Sequence, residues 1–254
     1  MRTSMRVCRR GRGWGDSEES ISPTHMPPVS RVELNKREYR NTDLRSRIQP
    51  ECDLLHSFSE DIRLAGSRVL EIGPGNGQSV AYLLEAGFSV EAIDHDQEVL
   101  DILQTNLEAA AIDRTRYYPS ERDVATCVLA TNAYALIQAS HVLHFFSLED
   151  ALGVLDKLID ALTTGGLLLI RVHAREPWPA TPSGDFKHFF TVSEFARLGQ
   201  GKTTIISQAI ICQLPSRRSA LARSKANGTE NDTGSIAHFS EGRMCDIELL
   251  VRRN

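Results

Sequence analysis

The segment that most constrains this chain is Val69-Leu70-Glu71-Ile72-Gly73-Pro74-Gly75-Asn76-Gly77. A short apolar run enters three glycines at alternate positions and leaves into helical text, Gln78 to Ala86, stopped by Gly87. Glycine permits a tight strand-to-helix turn and removes the β-carbons that would obstruct a ligand lying over the strand end. Such a turn predicts a buried parallel strand with a nucleotide-cofactor loop at its carboxyl edge.

The text beyond it alternates in the same way. Strands are predicted at Arg68–Ile72, Ser89–Ile93, Thr115–Tyr118, Ala135–Ala139 and Leu167–Val172. Helices are predicted at Gln97–Ala110, with Val99, Leu100, Leu103 and Leu107 on one stripe, and at Leu148–Leu162. Strands alternating with helices predict an α/β fold, a parallel sheet with helices on both faces. An amphipathic helix, Glu51–Leu64, is expected before the first strand, through Leu54, Leu55, Phe58 and Ile62, and ends at Gly66. Two β-rich segments, Thr203–Gln213 and Met244–Arg252, have only polar text between them, which predicts a hairpin and hence an antiparallel edge. Thr191 and Glu194 form a capping box that opens a short helix closed at Gly199.

The expected organisation is a disordered basic tail over 1–30 and one domain over 31–254. That domain divides into an N-terminal helical cap (31–65), a cofactor-binding core (66–173), and a lid loop, helix and hairpin (174–254). The tail reading rests on five arginines and no acid in the first 15 residues, interrupted by Gly11, Gly13 and Gly15. The remaining chain carries 24 basic against 33 acidic residues, which argues against a nucleic-acid partner, since gripping its phosphates needs a basic groove. No apolar run approaches the ~20 residues that span a bilayer. Five scattered cysteines without a CxxC spacing suit free thiols in a cytoplasmic protein.

The cofactor class follows from charge. A dinucleotide fingerprint G-x-G-x-x-G counted from Gly73 needs glycine where Gln78 stands. Glu71 precedes the loop, and a carboxylate there suits a cationic ligand better than a pyrophosphate. S-adenosylmethionine carries a sulfonium and an ammonium group and no phosphate. Asp94, which ends the second strand, can accept from both hydroxyls of a ribose; a helix N-cap is its alternative role.

These segments together resemble the class I S-adenosylmethionine-dependent methyltransferases, from about Arg68 to Val172 and more loosely to the C-terminus. The glycine segment resembles that family's first motif. Asp94 resembles its acid after the second strand, and Asp123-Val124 its pair flanking the adenine. Tyr134 to Phe145 resembles the fourth strand and its turn, and Leu162 to Ile170 the fifth-strand motif. Ala135 departs from the aspartate that many relatives carry. The resemblance implies a Rossmann-like three-layer sandwich with a mostly parallel seven-stranded sheet, and Glu71, Gly73, Gly75, Asn76, Gly77, Asp94, His95, Asp123, Val124 and Ser140 as cofactor-binding residues.

His141 and His144 follow the fourth strand. A metal site would need a third ligand, and none stands at a suitable local spacing, so none is expected. His141 is the candidate base or substrate contact and His188 a weaker one, while Tyr39 and the rings of Trp178, Phe186, Phe189 and Phe190 are candidate covers for the site. Methyl transfer to a small-molecule acceptor is the expected reaction. A fold that binds cofactor without turnover and a nicotinamide-dependent oxidoreductase are the competing readings.

Overall fold

The computed structural model describes residues 30–48, 53–175, 184–196, 198, 201–212 and 245–254. The Arg-rich head, Trp178, Gly199 and the polar stretch between the last two strands lie outside the described residues.

The chain runs α1 (Arg31–Arg40), α2 (Asp53–Ser57), α3 (Ser59–Ala65), β1 (Arg68–Ile72), α4 (Gln78–Glu85), β2 (Ser89–Asp94), α5 (Gln97–Ala109), β3 (Tyr117–Glu121), β4 (Tyr134–Ser140), α6 (Leu148–Ala161), β5 (Leu162–His173), β6 (Thr203–Cys212) and β7 (Cys245–Arg253). One sheet holds all seven strands in the order β3-β2-β1-β4-β5-β7-β6. The first five are mutually parallel, while β7 runs antiparallel to both β5 and β6. The expected antiparallel edge is present, and β7 inserts between β5 and β6.

Alternation along the strands separates two apolar layers. Leu70, Ile72, Ile137, Ala139, Leu168 and Ile170 face the α6 side and pack with Val154, Leu155 and Leu158. Val69, Val90, Leu136, Leu167 and Leu169 face the other side, under α3, α4 and α5. The helices start where the sequence supplies a cap. Asp96 accepts from the Glu98 N–H at 3.0 Å, and Ser147 accepts from the Asp150 N–H at 3.2 Å.

Several expectations are corrected. The single helix over Glu51–Leu64 is two, broken at Phe58, whose backbone leaves the helical conformation. β3 lies two residues later than expected and contains Pro119; it pairs only with β2, and an edge strand tolerates a missing N–H donor. β5 begins at Leu162 rather than Leu167, and its register against β4 slips between Tyr134 and Leu136. The Thr191–Glu194 box is built on a single 3₁₀ turn, Val192–Phe195. Cys245 is disulfide-bonded, so the expectation of uniformly free thiols fails there.

The box has a pH consequence. The Glu194 carboxylate accepts from the Thr191 N–H at 2.7 Å and pairs with His188 Nε2 at 3.2 Å. Burial pushes its pKa up, but these partners outweigh burial and leave it below the ordinary value of 4.5. A depressed folded pKa means the stabilisation is present above the unfolded value and lost as pH falls through the folded one. Urea unfolding should therefore show wild type more stable than Glu194→Gln at pH 7, on the order of 1 kcal/mol. That gap should shrink as pH falls through the depressed folded value and close below it; a gap that persists in acid would contradict the assignment.

Candidate functional site

Parallel strands deliver their carboxyl ends to one rim of the sheet, and the strand order turns there between β1 and β4, where open α/β sheets bind ligands. A cavity of about 610 Å³ opens at this rim, within the range usual for small-molecule sites. Gly73 and Gly75 form part of its wall, both with positive φ (65° and 53°).

The loop is held from behind. The Gly73 N–H donates to Ile93 O at 2.9 Å. Asn76 accepts from the Gln78 N–H through Oδ1 at 3.1 Å, and Asn106 Nδ2 donates to Asn76 O and Tyr39 O, each at 3.1 Å. Gly77, at φ 88°, is the N-cap of α4 and packs on Leu103. Asn76 and Gly77 thus shape the loop without lining the cavity.

Glu71 is placed differently from the charge argument. It is 3% exposed and is not part of the cavity wall. Strand alternation puts it on the face of Val69, beneath α4, where Gln138 Nε2 donates to it and to Ser79 Oγ. In this structure Glu71 stands under the loop rather than in the cavity wall. Other acids do face the cavity. Glu38, Asp94, Asp96, Asp123, Asp185 and Asp246 line the cavity against Lys36 and Arg122, an excess of acid that suits a cation and opposes a pyrophosphate.

Asp94, His95, Asp123, Val124, Ser140 and His141 all line the same cavity. Asp94 Oδ1 accepts from the Asp96 N–H at 3.0 Å, and burial raises its pKa. Asp96 rather than Asp94 caps α5. Asp123 accepts from the Ala125 N–H at 2.8 Å, and Lys157 from α6 donates to the carbonyls of Val124, Ala125 and Cys127, each at 2.9 Å, fixing this loop. Ser140 Oγ is buried and meets no hydrogen-bond partner among the described residues, and so offers a polar group to a ligand.

Helix α1 closes the cavity from above. Tyr39 lies over the loop, 3.3 Å from where a β-carbon on Gly75 would be, in keeping with its expected covering role. Lys36, 7% exposed, ties α1 to the start of α5 through Asp96 and Glu98 at 2.5 and 2.7 Å. Both carboxylates raise its pKa and keep it charged.

The far end holds residues that sequence spacing did not bring together. His141 Nε2 lies 3.0 Å from Asp246 Oδ2, and His173 Nδ1 lies 2.9 Å from Asp246 Oδ1. His144 stacks on His173 with centroids 4.1 Å apart, and Phe186 closes edge-on against both. His188 pairs with Glu194 instead and does not line the cavity, and Phe189 and Phe190 are buried. His173 ends β5, and Asp246 lies opposite it in register because β7 runs backwards and starts at the rim where β5 ends. A histidine at the end of a predicted strand was the available signal for His173; Asp246 depended on a register that sequence does not specify.

Comparison with known proteins bears on the family and the fold. A model of the methyltransferase domain matches residues 37–230. No curated protein matches the chain. Among solved structures, a S-adenosylmethionine-dependent methyltransferase from Methanosarcina mazei is similar at 13% identity, covering 80% of this chain and 98% of that one (TM-score 0.58). Magnesium protoporphyrin IX methyltransferase from Synechocystis PCC 6803, with bound S-adenosylhomocysteine, is similar at 15% identity over 90% of each chain (TM-score 0.55). TehB from Haemophilus influenzae is similar at 15% identity over 78% of this chain, which spans 62% of that longer protein (TM-score 0.57). With the family model spanning most of its length, the chain belongs to the methyltransferase domain family.

Proposed function

We propose that the chain transfers a methyl group from S-adenosylmethionine to a small molecule by direct displacement. The observation that carries this reading is one acid-lined cavity with the glycine loop and Asp94 at one end and the His141–Asp246 pair at the other. The cofactor supplies an electrophilic methyl group on a sulfonium that leaves as a neutral thioether.

The chain's own residues supply binding and alignment, which can contribute about 7–11 kcal/mol to such a step. Asp94 offers a carboxylate to the ribose hydroxyls, and Asp123 and Val124 stand where the adenine is expected. Gly73 and Gly75 leave room for the amino-acid portion, and the surrounding acids balance its cationic groups. Tyr39 and α1 cover the cofactor and exclude water. An acceptor that arrives protonated gives its proton to His141, whose Nε2 is engaged by Asp246 and whose ring is part of the cavity wall. Asp246 stays ionised to orient it: burial opposes the charge, but the bonds from His141 and His173 hold its carboxyl well below the usual range. The aromatic wall of Phe145, Phe146 and Phe186 favours a small, partly apolar acceptor. No helix among the described residues is long and apolar enough to cross a membrane; a cytoplasmic setting is part of this proposal.

The test supplies methyl-labelled cofactor and a cell extract separated into small molecules, protein and nucleic acid. Label should enter the small-molecule fraction. His141→Asn, which tolerates the left-handed backbone at this position (φ 57°), should bind S-adenosylhomocysteine normally and lower the transfer rate by about 10²–10⁴-fold. Label confined to protein or nucleic acid would refute the acceptor class, and an unaffected His141→Asn rate would refute the base.

A further inference from the structure

We propose that His141, His173 and Asp246 form a binding site for a divalent transition-metal ion of the zinc or cobalt type, at the acceptor end of the cavity. The site rests on the cavity described above, but its existence does not depend on methyl transfer.

Three strands converge to build it: His141 follows the end of β4, His173 ends β5 and Asp246 is the second residue of β7. One ligand atom from each lies within 4.8 Å of the others. Around an ion with bonds of about 2.0–2.2 Å, tetrahedral ligand atoms stand about 3.4 Å apart. Each imidazole already meets the carboxylate, His141 Nε2 at Oδ2 (3.0 Å) and His173 Nδ1 at Oδ1 (2.9 Å), so side-chain rotation brings both nitrogens and one or both oxygens onto a single ion. Two imidazoles and one carboxylate are a donor set suited to divalent first-row metals, with the remaining positions open to other ligands.

The backbone holds the first ligand in place: His141 has φ 57°, a conformation few non-glycine residues adopt, and its N–H donates to Arg171 O at 2.7 Å. His173 is fixed by its stack on His144. Arg171 Nε lies 3.4 Å from Asp246 Oδ2; it competes for that oxygen and moderates the affinity. The open face of the site is the cavity itself, since the His141 side chain is 41% exposed while those of His173 and Asp246 are 14% and 6%. An ion there meets an acceptor's oxygen or nitrogen donor, and as a Lewis acid it favours release of that donor's proton to solvent through the open cavity. His141 is then a ligand, and its role as base belongs to the metal-free chain.

Untagged full-length chain, stripped with a chelator, is titrated with Co²⁺ alone and followed by visible absorption. One ion per chain should bind, with the intense bands of a low-coordinate site. His141→Asn and His173→Asn should each weaken binding at least about 100-fold, as expected for loss of a direct ligand. Octahedral, weak spectra with wild type, or wild-type cobalt affinity in both variants, would overturn the site. S-adenosylhomocysteine titrations on the same samples confirm folding and separate the two readings. Cofactor binding without cobalt binding removes only the ion; cobalt binding without cofactor binding removes only the methyltransferase reading.

Discussion

Gly73→Val is expected to weaken S-adenosylhomocysteine binding more than a hundredfold. Gly73 has φ 65°, where a β-branched residue is strained by about 1–2 kcal/mol. Its new β-carbon would also stand 2.4 Å from Val142 Cγ2. Val142 cannot easily retreat, because it lies between His141, in its own left-handed conformation, and the fully buried Leu143. Overpacking of this kind adds about 1–3 kcal/mol. The chain relieves both by moving the loop that forms the cavity wall, so the loss falls on ligand affinity as well as on stability. Calorimetry reads the first and urea unfolding the second. Near-normal affinity in a normally stable variant would show that the loop does not approach the ligand.

Asp94→Ala should have an effect of comparable size with little change in fold. Asp94 Oδ1 accepts from the Asp96 N–H, and the carboxylate also faces the cavity. Two charge-assisted bonds to ribose hydroxyls, at about 1.5–3 kcal/mol each, correspond to roughly 10²–10⁴ in affinity. A pH signature accompanies this. Burial raises the Asp94 pKa, and only the ionised form accepts from both hydroxyls. Affinity is therefore full above that raised value and falls as pH drops through it, at higher pH than an ordinary aspartate would give. Asp94→Asn should flatten the dependence. A wild-type profile that stays flat to pH 4 would detach Asp94 from the ligand.

The α/β order, the strand count and the glycine loop could be read from the sequence because each rests on local signals: a period-2 or period-3.6 pattern, and glycines that only a tight turn requires. What escaped was non-local. Glu71 looked like a cation contact because it stands next to the loop, but the pleat sends it to the α4 side, where Gln138 and Ser79 meet it. His141 and His144 looked like an incomplete ligand pair. Their neighbours His173 and Asp246 are 32 and 105 residues beyond His141 and reach it only through the β4–β5–β7 register. Lys157 gives no local signal for its part, since the three carbonyls of the Val124 loop that it meets lie about 30 residues before it. The boundary errors have the same origin. Pro119 argues against a strand unless the strand is known to lie at an edge, and Thr163-Thr164-Gly165-Gly166 reads as a turn unless β4 is known to lie beside it.

The central claim is that one cavity holds an adenosyl ligand at the β1–β2 end and presents its reactive sulfur toward the histidine end. A crystal structure with S-adenosylhomocysteine measures this directly. The ribose hydroxyls should lie within hydrogen-bond distance of Asp94, and the sulfur should face the open space beside His141 and His173. A ligand bound elsewhere, or one whose sulfur turns away from the histidines toward α5, would contradict it.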